Sequence, residues 1–397
     1  MSYSKLSFGN TEMAFKAKED KDLQRSLFLF KMMKQPALVK LLSKAILFSM
    51  RIGLPVNRLI KGTIFNQFCG GESIAESTEV ISKLSRSHIG AILDYSIEGK
   101  EEEADFEQTK AELIKIIAVA KDNPAIPYTS LKLTGLARVS LLEKLGAGTD
   151  LNLAEKEECN TFYNRLNEIC VAAQLANVPV YFDAEESWIQ EAIDVLAERF
   201  MEKYNKKKAI VLTTLQMYRW DRLDYLTALI KRAREDSFFI GIKLVRGAYM
   251  EKENAHAAQI GSISPIHLLK EETDRDFDKA IDICLENIDI ITLCAGTHNE
   301  SSTMHVIRKM QELSIAPEHP HVFFSQLYGM SDHITYNLAN AGYNVTKYLP
   351  YGPIKSVIPY LIRRAEENTS IAGQMGRELR MLVEEKKRRS ASHLLTT

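Results

Sequence analysis

Ile89-Gly-Ala-Ile-Leu-Asp94-Tyr-Ser96-Ile-Glu-Gly-Lys100-Glu-Glu-Glu103 decides between two architectures. The apolar, branched run Ile89–Ser96 reads as a buried strand, and Glu101–Ala120 behind it reads as a helix. An open, doubly wound sheet carries a glycine-rich, phosphate-cradling turn after its first strand. Here that turn is acidic, and it would repel a phosphate. A closed barrel makes no such demand, so the barrel is the expected fold.

The same alternation continues along the chain. Strand candidates follow at Thr129–Thr134, Val178–Ala184, Ala209–Gln216, Phe238–Arg246, Ile288–Thr297, His321–Leu327 and Val345–Leu349. Helical stretches separate them at Glu155–Ala176, Ser187–Tyr204, Arg222–Arg234, His267–Glu286, Ser301–Leu313 and Ser331–Ala341, and Ile354–Glu367 follows the last strand. Alternating strands and helices imply parallel pairing through right-handed crossovers. Eight such units in about 280 residues are the usual size of a (β/α)8 TIM barrel. The expected division is a helical arm at 1–67, a barrel at 68–370 and a helical tail at 371–397.

The 397 residues are 45% hydrophobic, and 51 basic side chains nearly balance 52 acidic ones. Nothing in that balance suggests nucleic acid. Cys69, Cys159, Cys170, Cys284 and Cys294 form no CxxC pair and no even framework, so reduced thiols in an intracellular, cytoplasmic setting are expected. No secretory signal and no bilayer-spanning apolar run is present, and no metal site is expected. One asymmetry stands out. Between Asp22 and Glu72 there is no acidic residue, whereas Arg25, Lys31, Lys34, Lys40, Lys44, Arg51, Arg58 and Lys61 are basic and interleaved with apolar residues. Such an arm either lies on an anionic membrane, in peripheral contact, or packs over the barrel with its lysines in water. Packing is the favoured reading. The basic tail Lys386–Arg389 reads as a solvated, frayed helix end.

Barrel enzymes place their chemistry at the C-terminal ends of the strands. Those positions hold Lys132, Asp183, Gln216, Lys243 with Arg246-Gly247-Ala248-Tyr249, Thr297-His298, Gln326-Leu327 and Tyr348. A lysine inside an apolar strand is costly to bury alone, and Asp183 is an available partner for Lys132 and Lys243. On the last helix Tyr360, Arg363 and Arg364 fall at i, i+3 and i+4 on one side. Adjacent guanidinium groups suit a carboxylate bidentately, or they complement the helix dipole as a basic last turn. Each group alone has a structural explanation, such as an interior ion pair or a packed tyrosine. Their joint placement is more than a structural barrel needs.

The segments FCGGES, AILDYSIE, SLKLTGL, VYFDAEE, KLVRGAYMEKE, GTHNE, QLYGM and KYLPYGP…YLIRRAEENTS resemble the proline dehydrogenase family in order and spacing, from Phe68 to Ser370. YLPYGP resembles the monofunctional eukaryotic-type branch. The resemblance implies a distorted (β/α)8 barrel that holds FAD and oxidises L-proline to Δ1-pyrroline-5-carboxylate by hydride transfer from C5 to flavin N5. It implies that Asp183 and Lys243 act at the catalytic centre, with Lys132 beside the substrate. Arg363 and Arg364 would clamp the substrate carboxylate, while Tyr249, Leu327, Tyr348 and Tyr360 wall the ring. Glu72 would pair with Arg363 and gate the site. Ala184, Gln216, Lys243, Arg246, Gly247, Ala248, Thr297, His298 and Glu367 would contact FAD. A quinone would take the electrons, and the inner membrane would be the place of peripheral association.

The chemistry agrees with this resemblance. Oxidising an amine needs a hydride acceptor that no side chain supplies, and a carboxylate clamp orients the substrate. The amine must be neutral, so activity should rise with pH beside a cationic Lys132 or Lys243. By the resemblance, Tyr348 filters ring size near carbon 4 and favours proline over 4-hydroxyproline. A Schiff-base aldolase built on Lys132 or Lys243 is the competing enzyme class, but it leaves the Arg363-Arg364 pair unused. A non-catalytic interaction protein would not need polar groups at nearly every strand end.

Overall fold

A computed structural model describes residues 6–52, 56–97, 99–370 and 372–396, without the side chains of 51, 366–370, 372–375 and 392–396. Eight strands close into a barrel in chain order. They are β1 (Ile89–Tyr95), β2 (Tyr128–Leu131), β3 (Val180–Phe182), β4 (Val211–Gln216), β5 (Ile240–Val245), β6 (Ile291–Gly296), β7 (Val322–Leu327) and β8 (Val345–Tyr351). Neighbours from β1 to β6 pair in parallel. The expected (β/α)8 barrel is the observed fold.

The helices between strands follow local chemistry. Leu153–Ala176 starts at Asn152, whose side chain accepts from Glu155 N while Glu155 reaches back, and it ends at Asn177 in the left-handed region (φ 59°). β2 and β3 are shorter than their apolar runs. The reason is a buried carboxylate: Glu185 accepts from the Thr134 N–H (3.1 Å) and from its hydroxyl, and so takes over bonds a longer ladder would make. Leu133–Gly135 turns as a 3₁₀ helix instead.

The chain divides into two compact units, Ile92–Thr297 with Ser301–Phe324, and Met1–Ala91 with His298–Glu300 and Ser325–Thr397. In the first, Phe162, Phe182, Phe200, Tyr181 and Phe277 are among the fully buried large side chains. In the second, the arm packs. Helix Asp20–Met33 buries Leu23, Leu27, Phe30 and Met33 in a core shared with Ile354, Val357, Ile358 and Leu361 of helix Ile354–Ser370, and with Met381 and Leu382 of helix Ala372–Thr396.

The tail differs from its expected fraying. Arg389 donates to the carbonyls of Phe15 and Lys18 (2.9 Å each) and to Asp20 (2.8 Å). Both Arg388 and Arg389 hold the buried Glu385. Four carbonyl and carboxylate partners on the Arg389 guanidinium turn a solvated end into a staple on the arm.

Candidate active site

The polar groups of the Ile92–Thr297 unit gather where the strands end. The register Leu131↔Phe182 carries Lys132 and Asp183 just beyond adjacent strands, and the Asp183 N–H still donates to Leu131 O (2.9 Å). Lys132 Nζ lies 3.1 Å from Asp94 Oδ1 and 3.5 Å from Asp183 Oδ2, and Lys243 Nζ lies 2.5 Å from Asp183 Oδ1. Asp94, Asp183 and Lys243 are buried and Lys132 is nearly so, and the charges alternate: Asp94, Lys132, Asp183, Lys243. Alternation is what makes burial tolerable, since each ion has an opposite charge as neighbour. Ser96 and Ser130 complete the hydrogen bonding of Asp94. Lys243 also faces the Tyr181 ring at 4.9 Å.

Sequence reasoning brought Lys132, Asp183 and Lys243 together but overlooked Asp94. Its signal was available, because a carboxylate inside the apolar run Ile89–Ser96 is as anomalous as a lysine there.

Next to this cluster the chain fixes a second set. Gln216 donates from Nε2 to Glu185 O (2.8 Å) and accepts from the Ala248 N–H (3.2 Å), so its amide is held at both ends. Ala184 is half-buried between Asp183 and Glu185. Arg246 reaches Thr297 Oγ1 (2.7 Å), Ser302 Oγ (2.9 Å) and Asp274 (2.8 Å), with its guanidinium 4.5 Å from the Phe277 ring. Burial pushes the Asp274 carboxyl up, but Lys270 and Arg246 outweigh it and hold it low. Gly247 sits at φ +136°, and a Cβ there would meet the Tyr218 ring at 2.5 Å. Only glycine takes that turn, which leads into buried Tyr249 and the helix Met250–Ile260.

The other unit holds the remaining candidates. Helix Ile354–Ser370 carries buried Tyr360, half-buried Arg363 and buried Arg364, with the Arg364 guanidinium 5.1 Å from the Tyr360 ring. Half-buried Leu327 and Tyr348 end β7 and lie within β8. The Leu327 N–H donates to His298 Nε2 (3.4 Å), which leaves the other ring nitrogen, Nδ1, to meet Ser331 Oγ (2.9 Å). Glu72 differs from expectation, because its carboxylate pairs with Lys61 (2.7 Å). Lys61 lies only 11 residues away in the chain, so the short link prevails. The side chain of Glu367 lies outside the described residues.

A further buried network was not anticipated. Lys347 Nζ bonds Asp332 (2.8 Å), Met330 O (2.5 Å) and Leu327 O (3.4 Å), and Lys18 also reaches Asp332 (3.3 Å). Burial pushes the Asp332 carboxyl up, but the Lys347 and Lys18 ammonium groups outweigh it and hold it at about 2. The sequence signal was again a lysine within an apolar strand.

The family model for proline dehydrogenase matches residues 77–377. The chain belongs to the proline dehydrogenase family. It is thus an oxidoreductase of that family. Among similar proteins, the carbapenem antibiotics biosynthesis protein CarD of Pectobacterium carotovorum subsp. carotovorum is 33% identical over 81% of this chain and 83% of its own length. Hydroxyproline dehydrogenase of Xenopus laevis is 32% identical over 97% of this chain and 90% of its own. The crystal structure of proline utilization A from Bdellovibrio bacteriovorus, inactivated by N-propargylglycine, superposes with a TM-score of 0.71 at 21% identity. It covers 93% of this chain, which spans only 40% of that protein, so the likeness is one of fold.

The alternating cluster makes an energetic prediction. Lys243→Met is expected to cost about 3 kcal/mol, the low end for breaking a buried pair, because Lys132 still faces Asp183. Asp183→Asn with Lys243→Met should cost less than the two single changes added together. A double-mutant cycle by denaturant unfolding checks this, and additivity within about 0.5 kcal/mol would show the pair uncoupled.

Proposed function

We propose that the chain oxidises L-proline to Δ1-pyrroline-5-carboxylate with FAD, passing electrons to a quinone. The observation that carries this reading is the buried Asp94–Lys132–Asp183–Lys243 cluster in a chain of this family. Bound FAD supplies the two-electron acceptor that no side chain provides. Its chemistry fits the groups present. Arg246 and the glycine turn at Gly247 and Ala248 offer a cation and a close backbone approach suited to a pyrophosphate. Thr297 and His298 extend that set, and Ala184, Gln216 and Lys243 are the groups for the ring system, with Glu367 toward the nucleotide end.

The chain's own side chains do the rest. Lys132, held by two carboxylates, is a fixed cation that disfavours a second positive charge on the substrate amine. Asp183 fixes the positions of both lysines. Arg363 and Arg364 are the clamp for the substrate carboxylate, and Tyr249, Leu327, Tyr348 and Tyr360 exclude water around its ring. Glu72, now on Lys61, is the proposed gate.

A second reading, with 4-hydroxyproline as substrate, is favoured by the likeness to hydroxyproline dehydrogenase. Tyr348 argues for proline.

The membrane side of the proposal rests on helix Pro36–Arg51. Leu41, Phe48 and Ile52 recur on one flank, 65%, 63% and 54% exposed, beside exposed Lys40 and Lys44. An exposed apolar strip next to a basic one suits an anionic lipid surface. Among the described residues no helix is long and apolar enough to cross a membrane. The proposed place of action is the surface of an inner membrane, inside the cell.

Purified protein is expected to be yellow and to bleach when L-proline is added under nitrogen; colourless protein would overturn the flavin reading, as would borohydride trapping of a keto-acid on lysine. Arg363→Ala or Arg364→Ala should lower kcat/KM roughly 10- to 100-fold, as loss of a charge-assisted hydrogen bond does. The wild-type rate should rise with pH, and a flat profile counts against a fixed cation at the amine. Tyr348→Ser should narrow the preference for proline over 4-hydroxyproline, and an unchanged ratio of kcat/KM values refutes the filter. Co-sedimentation with anionic vesicles should be strong for the wild type, weaker for Leu41→Ser with Phe48→Ser, and weak for neutral vesicles. A wild type that stays in the supernatant removes the membrane from the proposal.

A further inference from the structure

The turn that follows β7, Tyr328-Gly329-Met330-Ser331, separates Leu327 from the helix Asp332–Asn340. Its backbone is tied on several sides by groups outside the proposed substrate contacts. Lys347, 1% exposed, donates to Met330 O and Leu327 O while paired to Asp332. Gln67, at the end of the arm, donates from Nε2 to Gly329 O (2.8 Å). Gln67 is itself fixed, because Ser26 Oγ donates to its Oε1 (3.0 Å), and Lys18 Nζ lies 3.3 Å from both Ser26 Oγ and Asp332. Glu378 accepts from the Ser331 N–H (3.0 Å).

Two observations say that these bonds set a position rather than fill space. Gly329 lies at φ +80°, and a Cβ there would sit 1.9 Å from the Gln67 carbonyl oxygen, so the arm's backbone rests directly on the turn. And Lys347 adjoins Tyr348, while the Tyr328 N–H donates to Tyr348 O (2.9 Å). The same few residues thus fix the spacing between Leu327 and Tyr348, the two proposed wall residues on neighbouring strands.

We propose that Lys18, Gln67 and Lys347 are positioning residues that hold Leu327 against Tyr348 and thereby set the size of the ring pocket, making the arm a determinant of substrate choice. This rests on the proposed oxidation of proline. None of the three touches the substrate; each acts through the turn. A looser turn lets Leu327 recede. Proline then loses packing on its ring, and a substituent on ring carbon 4 gains room.

The test uses the full-length flavin-loaded protein and its Gln67→Met, Lys18→Met and Lys347→Met variants, with Val39→Ala as a control that thins the arm's core without a bond to the turn. The readouts are KM and kcat for L-proline and for 4-hydroxyproline, and the binding of a five-membered-ring carboxylate lacking an amine, followed by its perturbation of the flavin spectrum. Gln67→Met and Lys347→Met are expected to raise the proline KM more than they lower kcat. They should also shrink the proline-to-hydroxyproline ratio of kcat/KM at least about threefold, within the range that a methylene-sized change in a pocket produces. They should weaken the non-oxidisable ligand in parallel. Lys18→Met should do the same to a smaller degree, and Val39→Ala should lower the melting temperature and leave the ratio alone. Ratios unchanged in Gln67→Met and Lys347→Met, or moved equally by Val39→Ala, overturn the proposal. Should Lys347→Met not fold, Gln67→Met decides alone. A wild type that oxidises neither amine sinks the oxidation reading, and this proposal with it, whereas an active wild type with unmoved variants sinks the positioning role only.

Discussion

Burying charge is the constraint to which the chemistry of this chain is tied. Two lysines and two aspartates stand in or just beyond the strands of a barrel, and an isolated ion buried there would cost several kcal/mol. The ordering Asp94, Lys132, Asp183, Lys243 solves this by giving Lys132 and Asp183 two opposite neighbours each. Such a ladder adds little to stability compared with apolar residues of similar volume. What it provides is a set of largely desolvated charges, each held in place by an opposite neighbour.

The same device appears again at β8. Lys347, Asp332 and Lys18 form a second buried group, this time with backbone carbonyls among its partners. One cluster stands where strands end, and the other ties down a turn. Both depend on lysine, whose compact ammonium on a flexible stem can thread a crowded interior and still offer three donors.

The arm gives a different lesson in economy of surface. One face of Asp20–Met33 is spent in the core with Val357, Ile358 and Leu361, while Pro36–Arg51 leaves Leu41, Phe48 and Ile52 in water. An arm that stabilises the fold through one helix and keeps an apolar strip on the next is suited to two tasks at once. The alternation of basic and apolar residues in the sequence was compatible with both.

Much of this was legible in the residues. Strand and helix periods, the acidic turn after Ser96 and the polar strand ends named the barrel and put Lys132, Asp183 and Lys243 in one place, because these are local patterns with a fixed repeat. Strand lengths were not legible: Thr134 leaves the ladder for Glu185, and no period announces a bond between residues 51 positions apart. Partners across the chain were decided only by folding. Asp94 found Lys132, Glu72 took Lys61, and Arg389 of the tail closed on Phe15 and Lys18. The sequence by itself determined which side chains cannot be buried alone. The tertiary structure decided which opposite charge each would meet, since that choice depends on distances between elements that no local pattern encodes.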